Sequence, residues 1–437
     1  MISRKMILGG IKTLGLKVFN LAAMFAVSVL LARVLGVDEY GNYVFVFTLV
    51  GLLSEPYFIG LRTLAVRHTA LNMEPGSHGL VRGLFVRLCQ VSLVGAAVAF
   101  LVLLIVALVM GDDLGEQGLF LCLAGACLPV FLGINRVRDG VLRGAGYLVE
   151  GQIPKLLLRP LFLLIYIFLA WWIFAQEFSA TLAILMQVCA ALTAMFVYRY
   201  IVNRKVFSAL ADVAPQYQTR NWLRELLPLM LTAGLMVADT RVGILILGVI
   251  EDTAEASKLH AALRVAELIT LAHAVANLII EPMIARHYDK QEMALLQKKM
   301  TLVAGLILLS TLPVSLIMML HGEWILSVFG EEFRSVAPVL TILAVAHLID
   351  ASMGAVTQTL SMTGNAGEAV KGMLLGLVIN IVLCVVLIPQ QGAIGAAWAV
   401  LLSTLVYKVY LVIRIYRLTG IWTTPLYLLF QLPARFR

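Results

Sequence analysis

Twelve runs of about 20 mostly apolar residues, separated by polar connectors, make up nearly all of this 437-residue chain. A run of that length crosses the hydrocarbon core of a bilayer as an α-helix, which satisfies its own backbone hydrogen bonds where water is absent. Only 13% of the residues are charged, whereas a soluble domain has about 25%. The pattern therefore predicts an all-α polytopic membrane protein.

The distribution of basic residues predicts the orientation of the spans. The predicted spans lie at 13–33, 41–61, 88–110, 117–136, 156–175, 179–198, 226–249, 259–280, 300–320, 336–358, 372–388 and 393–413. Nearly all lysines and arginines of the connectors fall on the side that holds both termini, and the other side holds only Arg33, Lys258 and Arg334. The positive-inside rule therefore predicts that both termini are cytoplasmic. Residues 1–36 have no signal-peptidase site, so we expect the first span to be retained.

The two halves of the chain resemble each other, which indicates an internal duplication. Residues 65–68 follow the second span as the similar residues 284–287 follow the eighth, and Gly146 and Gly364 follow the fourth and tenth spans. Because each half has six spans, equivalent helices point the same way, as in a parallel repeat.

The duplication gives the expected domain organisation. We expect an N-terminal six-helix bundle at 1–198, a cytoplasmic linker at 199–225, a C-terminal six-helix bundle at 226–414 and a cytoplasmic or interfacial tail at 415–437. The two bundles are expected to be pseudo-symmetric.

Ionisable residues inside the spans are candidates for function, because a charge in the bilayer is costly unless it is paired or faces water. Lys17 and Glu55 lie at similar depths in the first and second spans, so they are expected to pair unless Lys17 extends to the interface. The tenth span has His347 and Asp350 three residues apart, the best candidates for a proton-carrying pair. His273 is a weaker candidate, because a lone histidine in an apolar helix is more often a packed core residue.

A second group of intramembrane charges lies on the seventh and eighth spans. Asp239 and Arg241, together with Arg264 and Glu267, are predicted to form a cross-helix network that is either functional or purely structural. Cations at several depths suit an anionic substrate such as a phosphate group. The substrate-binding candidates are Lys17, Asn20, Arg159, Asp239, Arg241, Arg264 and Glu267. The coupling candidates are Glu55, His273, His347 and Asp350.

A basic cluster follows the fourth span and has two interpretations. Arg136, Arg138, Asp139 and Arg143 either ring the cytoplasmic mouth of a cavity or belong to the ordinary positive-inside signal.

Other classes of function find little support in the sequence. The five cysteines lie inside apolar runs without metal-ligand spacing, so neither a disulfide framework nor a metal site is expected. No P-loop is present, and the outer connectors are short and lack a nucleophile–base arrangement. We therefore expect no cofactor and no enzymatic activity. The net charge of +8 reflects the topology and an attraction to membrane lipids rather than nucleic acid binding.

Three stretches of the chain resemble a known family of transporters. Residues 31–36 and 39–43 resemble the first loop and second helix of polysaccharide-exporting flippases, and residues 261–264 and 281–286 resemble their eighth helix. Asn380 and the later residues 388–399 resemble their eleventh-to-twelfth helix turn. On these motifs the chain is identified as a member of the multidrug/oligosaccharidyl-lipid/polysaccharide exporter superfamily, in its O-antigen-type flippase family.

The resemblance implies a V-shaped pair of six-helix bundles in the bacterial cytoplasmic (inner) membrane. Such a protein would move a polyprenyl-diphosphate-linked oligosaccharide to the outer leaflet, with glycosyltransferases and a glycan polymerase as possible partners. It implies that Arg33, Gly36, Tyr40 and Gly41 form the turn between the first two helices. It also implies that Asp239 and Arg264 lie on helices that border the cavity.

Two alternatives remain: a cation-coupled multidrug exporter of the same fold and a membrane-embedded glycan-modifying enzyme. Proton-coupled drug exporters resemble one another in an acidic residue of the first helix. Here that helix has Lys17 and Asn20 instead, which weakens the drug-exporter interpretation.

Overall fold

The computed structural model describes residues 4–74, 77–111, 114, 117–174, 177–210, 213–270, 280–281 and 283–425. Within these ranges all regular secondary structure is helical. The last part of the predicted tail, 426–437, lies outside the described residues.

The α-helices cover the predicted spans, and some of them are short. They are α1 (Arg4–Leu71), α2 (His78–Met110), α3 (Gly118–Gly144), α4 (Leu148–Ile153), α5 (Arg159–Phe174), α6 (Ala180–Lys205), α7 (Thr219–Ile250), α8 (Thr253–Ala266), α9 (Met293–Leu320), α10 (Gly322–Leu326), α11 (Ala337–Met353), α12 (Val356–Met362) and α13 (Ala366–Thr419). A single π-helical turn, Pro154–Leu158, joins α4 to α5. Short 3₁₀ turns lie at Phe207–Leu210, Glu267–Thr270 and Glu331–Val336.

The described helices account for eleven spans and the beginning of a twelfth. Nine helical segments of the described chain are long and apolar enough to cross a membrane. Two of them are double, because α1 is broken at Gly36 and α13 at Gly392. The predicted eighth span begins in α8, and the structure describes it as far as residue 270. The prediction of an all-α membrane protein with about twelve spans is therefore confirmed.

Glycine makes the two tight breaks possible. Gly36 has φ 74° with ψ 177°, and Gly392 has φ 54° with ψ −132°, backbone conformations that glycine adopts readily and that cost other residues about 1–3 kcal/mol. Each glycine breaks the helix between two consecutive predicted spans. Gly36 lies where the family resemblance places the first turn.

Apolar side chains also cover the outer surfaces of the helices. On α2, Leu101, Leu108 and Val109 are exposed by 58%, 74% and 75%. A contiguous apolar surface of this kind is stable in lipid rather than in water. The chain is therefore a multi-pass membrane protein.

The first compact unit comprises Met1–Arg241. Its central helix is α3, which packs against α1, α2 and α6. Close approach depends on small residues: Gly140 of α3 lies against the backbone of Arg62 and the side chain of Ala65 on α1. The core beside this contact contains Leu61 and Val137, both fully buried.

The second compact unit comprises Val242–Arg437. Here α11 is the central helix and packs against α8, α9 and α13. The turn that follows the tenth span has Gly364 at φ 80°, and the turn that follows α3 has Gly146 at φ 91°. Equivalent positions of the proposed repeat thus share an unusual backbone conformation. The predicted boundary at 199–225 stays a prediction; contacts divide the chain within α7, at residue 241.

The two long connectors are more ordered than the sequence suggested. The predicted connector 62–87 is largely helical, since α1 continues to Leu71 and α2 starts at His78. Polar residues of these extensions find partners outside the spans. The end of α1, for example, is held by His68 Nε2, which lies 3.0 Å from Glu225 Oε2 at the start of α7.

Part of the predicted linker, residues 213–218, lies along α2. Gln216 N donates to Gly79 O at 2.8 Å, and Arg82 Nη1 donates to Val213 O at 2.8 Å. The guanidinium of Arg87 stacks over the Tyr217 ring at 5.1 Å. The linker thus follows a fixed path in the first unit.

We predict that Gly83→Ala destabilises this contact. A Cβ at Gly83 would lie 1.8 Å from the carbonyl oxygen of Gln216, which cannot rotate away as a side chain can. We expect a loss of about 1–3 kcal/mol and a lower melting temperature for the detergent-solubilised protein. Gly305→Ala is the matched control, because no atom lies within 4 Å of its Cβ position. An unchanged melting temperature for Gly83→Ala would contradict the described path of the linker.

Candidate functional site

Seven ionisable side chains come together inside the first unit, and we call them the cationic cluster. Its members are Glu55, Arg62, Arg136, Asp139, Arg143, Lys155 and Arg159. Five are cations and two are carboxylates, so the formal charge of the cluster is positive.

Helical spacing places these residues on matching faces. On α1, Glu55 and Arg62 are seven residues apart, and on α3 Arg136 and Asp139 are three apart. Residues spaced by three, four or seven share a helix face. Lys155 belongs to the π-helical turn, a distortion that often occurs at functional sites.

The central contact is a salt bridge between Glu55 and Arg136. Arg136 Nη2 lies 2.8 Å from Glu55 Oε1, and the two side chains are 11% and 26% exposed. The Arg136 guanidinium also lies over the Phe58 ring, 5.8 Å from its centroid. Arg241 of α7 interacts with Glu55 electrostatically and packs on Gly51, one turn earlier on α1. Glu55 thus faces cations from two other helices.

The second carboxylate, Asp139, is the more deeply buried. Its side chain is 2% exposed and lies 3.9 Å from Arg143 Nη1. It also interacts electrostatically with Lys155 and Arg62. Its Oδ1 has no hydrogen-bond partner among the described residues. Asp139 therefore balances charge across the cluster rather than within one tight pair.

The orientation of Arg159 is set by a chain of hydrogen bonds. Its Nη2 donates to Gln187 Oε1 at 3.0 Å, and Gln187 Nε2 donates to the Tyr43 hydroxyl at 2.9 Å. Gln187 is fully buried, so the guanidinium is held from one side.

Three guanidinium donors of the cluster are available for another acceptor. Arg136 Nη1, Arg143 Nε and Arg159 Nε are buried and have no hydrogen-bond partner among the described residues. A buried donor left unsatisfied costs about 1–3 kcal/mol. Spare donors and excess positive charge are the properties of a site for an anion, because guanidinium groups bind phosphate oxygens in pairs.

The structure places the candidates of the first two spans apart. Glu55 belongs to the cluster, but its carboxylate pairs with Arg136 and not with Lys17. Lys17 is an exposed side chain, and Asn20 is half-buried on the same helix. The expected Lys17–Glu55 pair is therefore wrong. The reason is packing, because α3 lies against α1 and brings the Arg136 guanidinium within hydrogen-bond distance of Glu55.

The charges of the seventh and eighth spans divide between the units. In the first unit, Arg241 lies beside Glu55 and Asp239 is half-buried on the same helix. In the second unit, Arg264 Nη1 donates to Glu267 Oε2 at 2.6 Å. The predicted network that joins all four residues stays a prediction.

The coupling candidates of the tenth span gain a partner that sequence reasoning missed. Asp350 forms a salt bridge with Lys408 of α13, and the Lys408 side chain is 11% exposed. Lys408 lies inside the twelfth predicted span, and this position alone marked it as a candidate for an intramembrane ion pair. His347 is half-buried one turn from Asp350. His273 lies outside the described residues.

Arg62 and Lys155 were also missed, because both fell just outside the predicted spans. The signal was their helical register with Glu55 and Arg159. Metal ligation receives no support in the described part of the chain, where no three His, Cys, Asp or Glu side chains converge. The expected absence of a metal or cofactor stays a prediction.

Comparisons with known proteins agree with this architecture. A family model described as "Polysaccharide biosynthesis protein" matches residues 9–287. No curated protein sequence matches the chain significantly.

Solved transporter structures share the fold. One is an inward-facing multidrug resistance MATE family transporter of the MOP superfamily, with TM-score 0.77, 14% identity, and coverage of 92% of this chain and 96% of that one. Another is the lipid II flippase MurJ, with TM-score 0.72, 14% identity and coverage of 94% and 87%. A MOP superfamily transporter from Pyrococcus furiosus has TM-score 0.66, 12% identity and coverage of 92% and 93%. At these identities the likeness establishes the fold.

We predict that removing the negative charge of Glu55 is more harmful than removing the positive charge of Arg136. Glu55→Gln leaves Arg136 buried among cations, whereas in Arg136→Gln the carboxylate keeps its attraction to Lys155 and Arg241. Breaking a buried ion pair costs about 3 kcal/mol or more. The measurement is the free energy of unfolding of both variants and of the double variant in detergent.

The control for this prediction is Glu331→Gln, which breaks an exposed pair with Arg334 and should cost less than about 1 kcal/mol. Equal losses for Glu55→Gln and Glu331→Gln would contradict a buried, cation-rich environment at Glu55.

Proposed function

The chain belongs to the polysaccharide biosynthesis protein family, and on this basis we propose that it is a lipid-linked oligosaccharide flippase. Its substrate is a polyprenyl-diphosphate-linked repeat unit of an O-antigen or exopolysaccharide. The protein moves this molecule from the cytoplasmic to the outer leaflet of the bacterial inner membrane by alternating access. Both termini are cytoplasmic in this proposal, as the basic connectors predict.

The cationic cluster is the observation that carries the proposal. A diphosphate is the most costly part of such a substrate to bring into the membrane, because it is charged and strongly hydrated. The cluster supplies positive charge and spare guanidinium donors inside the spanning helices. These groups replace the water that the diphosphate loses, while the polyprenyl chain stays in lipid.

Glu55 gives the cluster a way to release its ligand. Its carboxylate accepts from Arg136 at 2.8 Å. A bound diphosphate competes with Glu55 for that guanidinium, and Glu55 reclaims it when the diphosphate leaves. The carrier can then return empty without an uncompensated buried charge, which would be costly.

The multidrug exporter is the less well supported alternative. Its fold is shared, but an excess of cations in the cluster repels positively charged compounds. A membrane-embedded glycan-modifying enzyme is also less well supported, because the outer connectors of the sequence are short and lack a nucleophile–base arrangement.

Loss of the protein should leave lipid-linked repeat units facing the cytoplasm, so a deletion strain should export little glycan. Unchanged export from that strain would contradict the proposal. Complementation by variants then tests the cluster. We expect Lys155→Gln and Arg159→Gln to lower export by about tenfold or more, because each removes a charge-assisted contact of about 1.5–3 kcal/mol.

The matched control is Lys298→Gln, which makes the same chemical change at an exposed lysine of α9. It should restore export as well as the wild-type gene does. Full export by both cluster variants, at wild-type protein levels, would remove the cluster from the transport mechanism.

Ion coupling through the tenth span is a separate part of the proposal. His347 and Asp350 are the proton-carrying candidates, and Asp350 is paired with Lys408. Asp350→Asn alone would leave Lys408 buried and unpaired, so we combine it with Lys408→Met to preserve folding. Transport in proteoliposomes should lose its pH dependence in this double variant and in His347→Ala. A wild-type pH profile in both would exclude this pair as the coupling site.

A further inference from the structure

The last three turns of α6 have an unusual outer face. Phe196 and Tyr200 are exposed by 57% and 63%, and Arg199, Asn203 and Arg204 are exposed beside them. Their spacing of three, four, seven and eight residues places all five on one face of the helix. The face therefore combines large aromatic rings with two guanidinium groups.

This face forms part of two adjoining grooves. A groove of about 520 Å³ is lined by Phe196, Arg199, Tyr200, Asn203 and Arg204. The second, of about 320 Å³, is bordered by Tyr200 and Arg204 again, with Glu150, Ile153, Ile201 and Lys205. The larger groove has no acidic side chain in its lining.

Contacts within the grooves hold the polar groups in place. Arg204 Nη1 donates to the Tyr200 hydroxyl at 3.0 Å. The Lys205 ammonium lies 5.1 Å from the centre of the Tyr147 ring, at the start of α4. The site is therefore a cationic and aromatic surface with defined geometry, separate from the cationic cluster.

The depth of this surface matches a lipid headgroup. The sixth span is predicted to end at residue 198, so we expect Phe196 at the edge of the hydrocarbon. Arg199 to Arg204 then extend about 8 Å further at 1.5 Å per residue. The headgroup region on one side of a bilayer is about 5–8 Å thick. We therefore expect the guanidinium groups at the level of lipid phosphates.

We propose that these grooves bind the headgroup of an anionic phospholipid such as phosphatidylglycerol. Arg199 and Arg204 contact the phosphate, Asn203 and Tyr200 contact headgroup hydroxyls, and Phe196 packs on the upper acyl chain. A basic helix face at this side of a membrane suits anionic lipids, and exposed aromatic rings suit the interface. A soluble anion would gain nothing from the exposed Phe196.

Native mass spectrometry of the full-length protein tests the inference. The protein in detergent is mixed with equal amounts of phosphatidylglycerol and phosphatidylcholine, and the lipid retained by each variant is measured. We expect wild-type protein to retain phosphatidylglycerol preferentially. Arg199→Gln combined with Arg204→Gln should lower that retention by about tenfold or more.

The matched control is Arg220→Gln combined with Arg224→Gln, two exposed arginines of α7 on the same side of the membrane. It changes the net charge equally and should leave phosphatidylglycerol retention unchanged. Equal losses in both double variants, no loss in either, or equal retention of both lipids by the wild type would overturn the inference. The result does not depend on the substrate proposed for the cationic cluster.

Discussion

The salt bridge between Glu55 and Arg136 is the interaction on which the interior of the first unit depends. It joins α1 to α3, the central helix, at a depth where neither charge is well hydrated. The pair alone would be neutral, and buried pairs of this kind contribute little net stability. Its importance lies in its neighbours, because Arg62, Lys155 and Arg159 add positive charge that Glu55 and Asp139 do not fully offset. The helices thus carry an unbalanced charge that an anionic ligand can satisfy.

Much of the fold was predictable, because length and apolarity are sufficient for a membrane span. The twelve spans, the tight turn at Gly36 and the family membership all follow from local sequence. Helix ends were less predictable: α1 extends to Leu71 because His68 finds Glu225, a residue 157 positions away. Long-range partners of this kind leave no local signal.

The site was only partly predictable for the same reason. Charge inside a span singled out Glu55 and Arg159, which lie together in the cationic cluster, but it did not predict their partners. Arg136 replaced the expected Lys17 because helix packing decides which cation reaches a carboxylate. In the second unit, Lys408 was overlooked beside Asp350 although it lies within a span. Matching the registers of neighbouring helices would have been a better guide to these ion pairs than matching their depths alone.

The most direct measurement of the central claim is equilibrium binding of purified full-length protein to two sugar lipids with the same polyprenol. One carries a diphosphate and the other a monophosphate linkage. Because the cluster has an excess of cations and spare donors, we expect the diphosphate lipid to bind about tenfold tighter or more than the monophosphate lipid. We expect this preference for the diphosphate lipid to be weaker at high salt. Equal affinity for the two lipids, unaffected by salt, would contradict a diphosphate site in the cationic cluster.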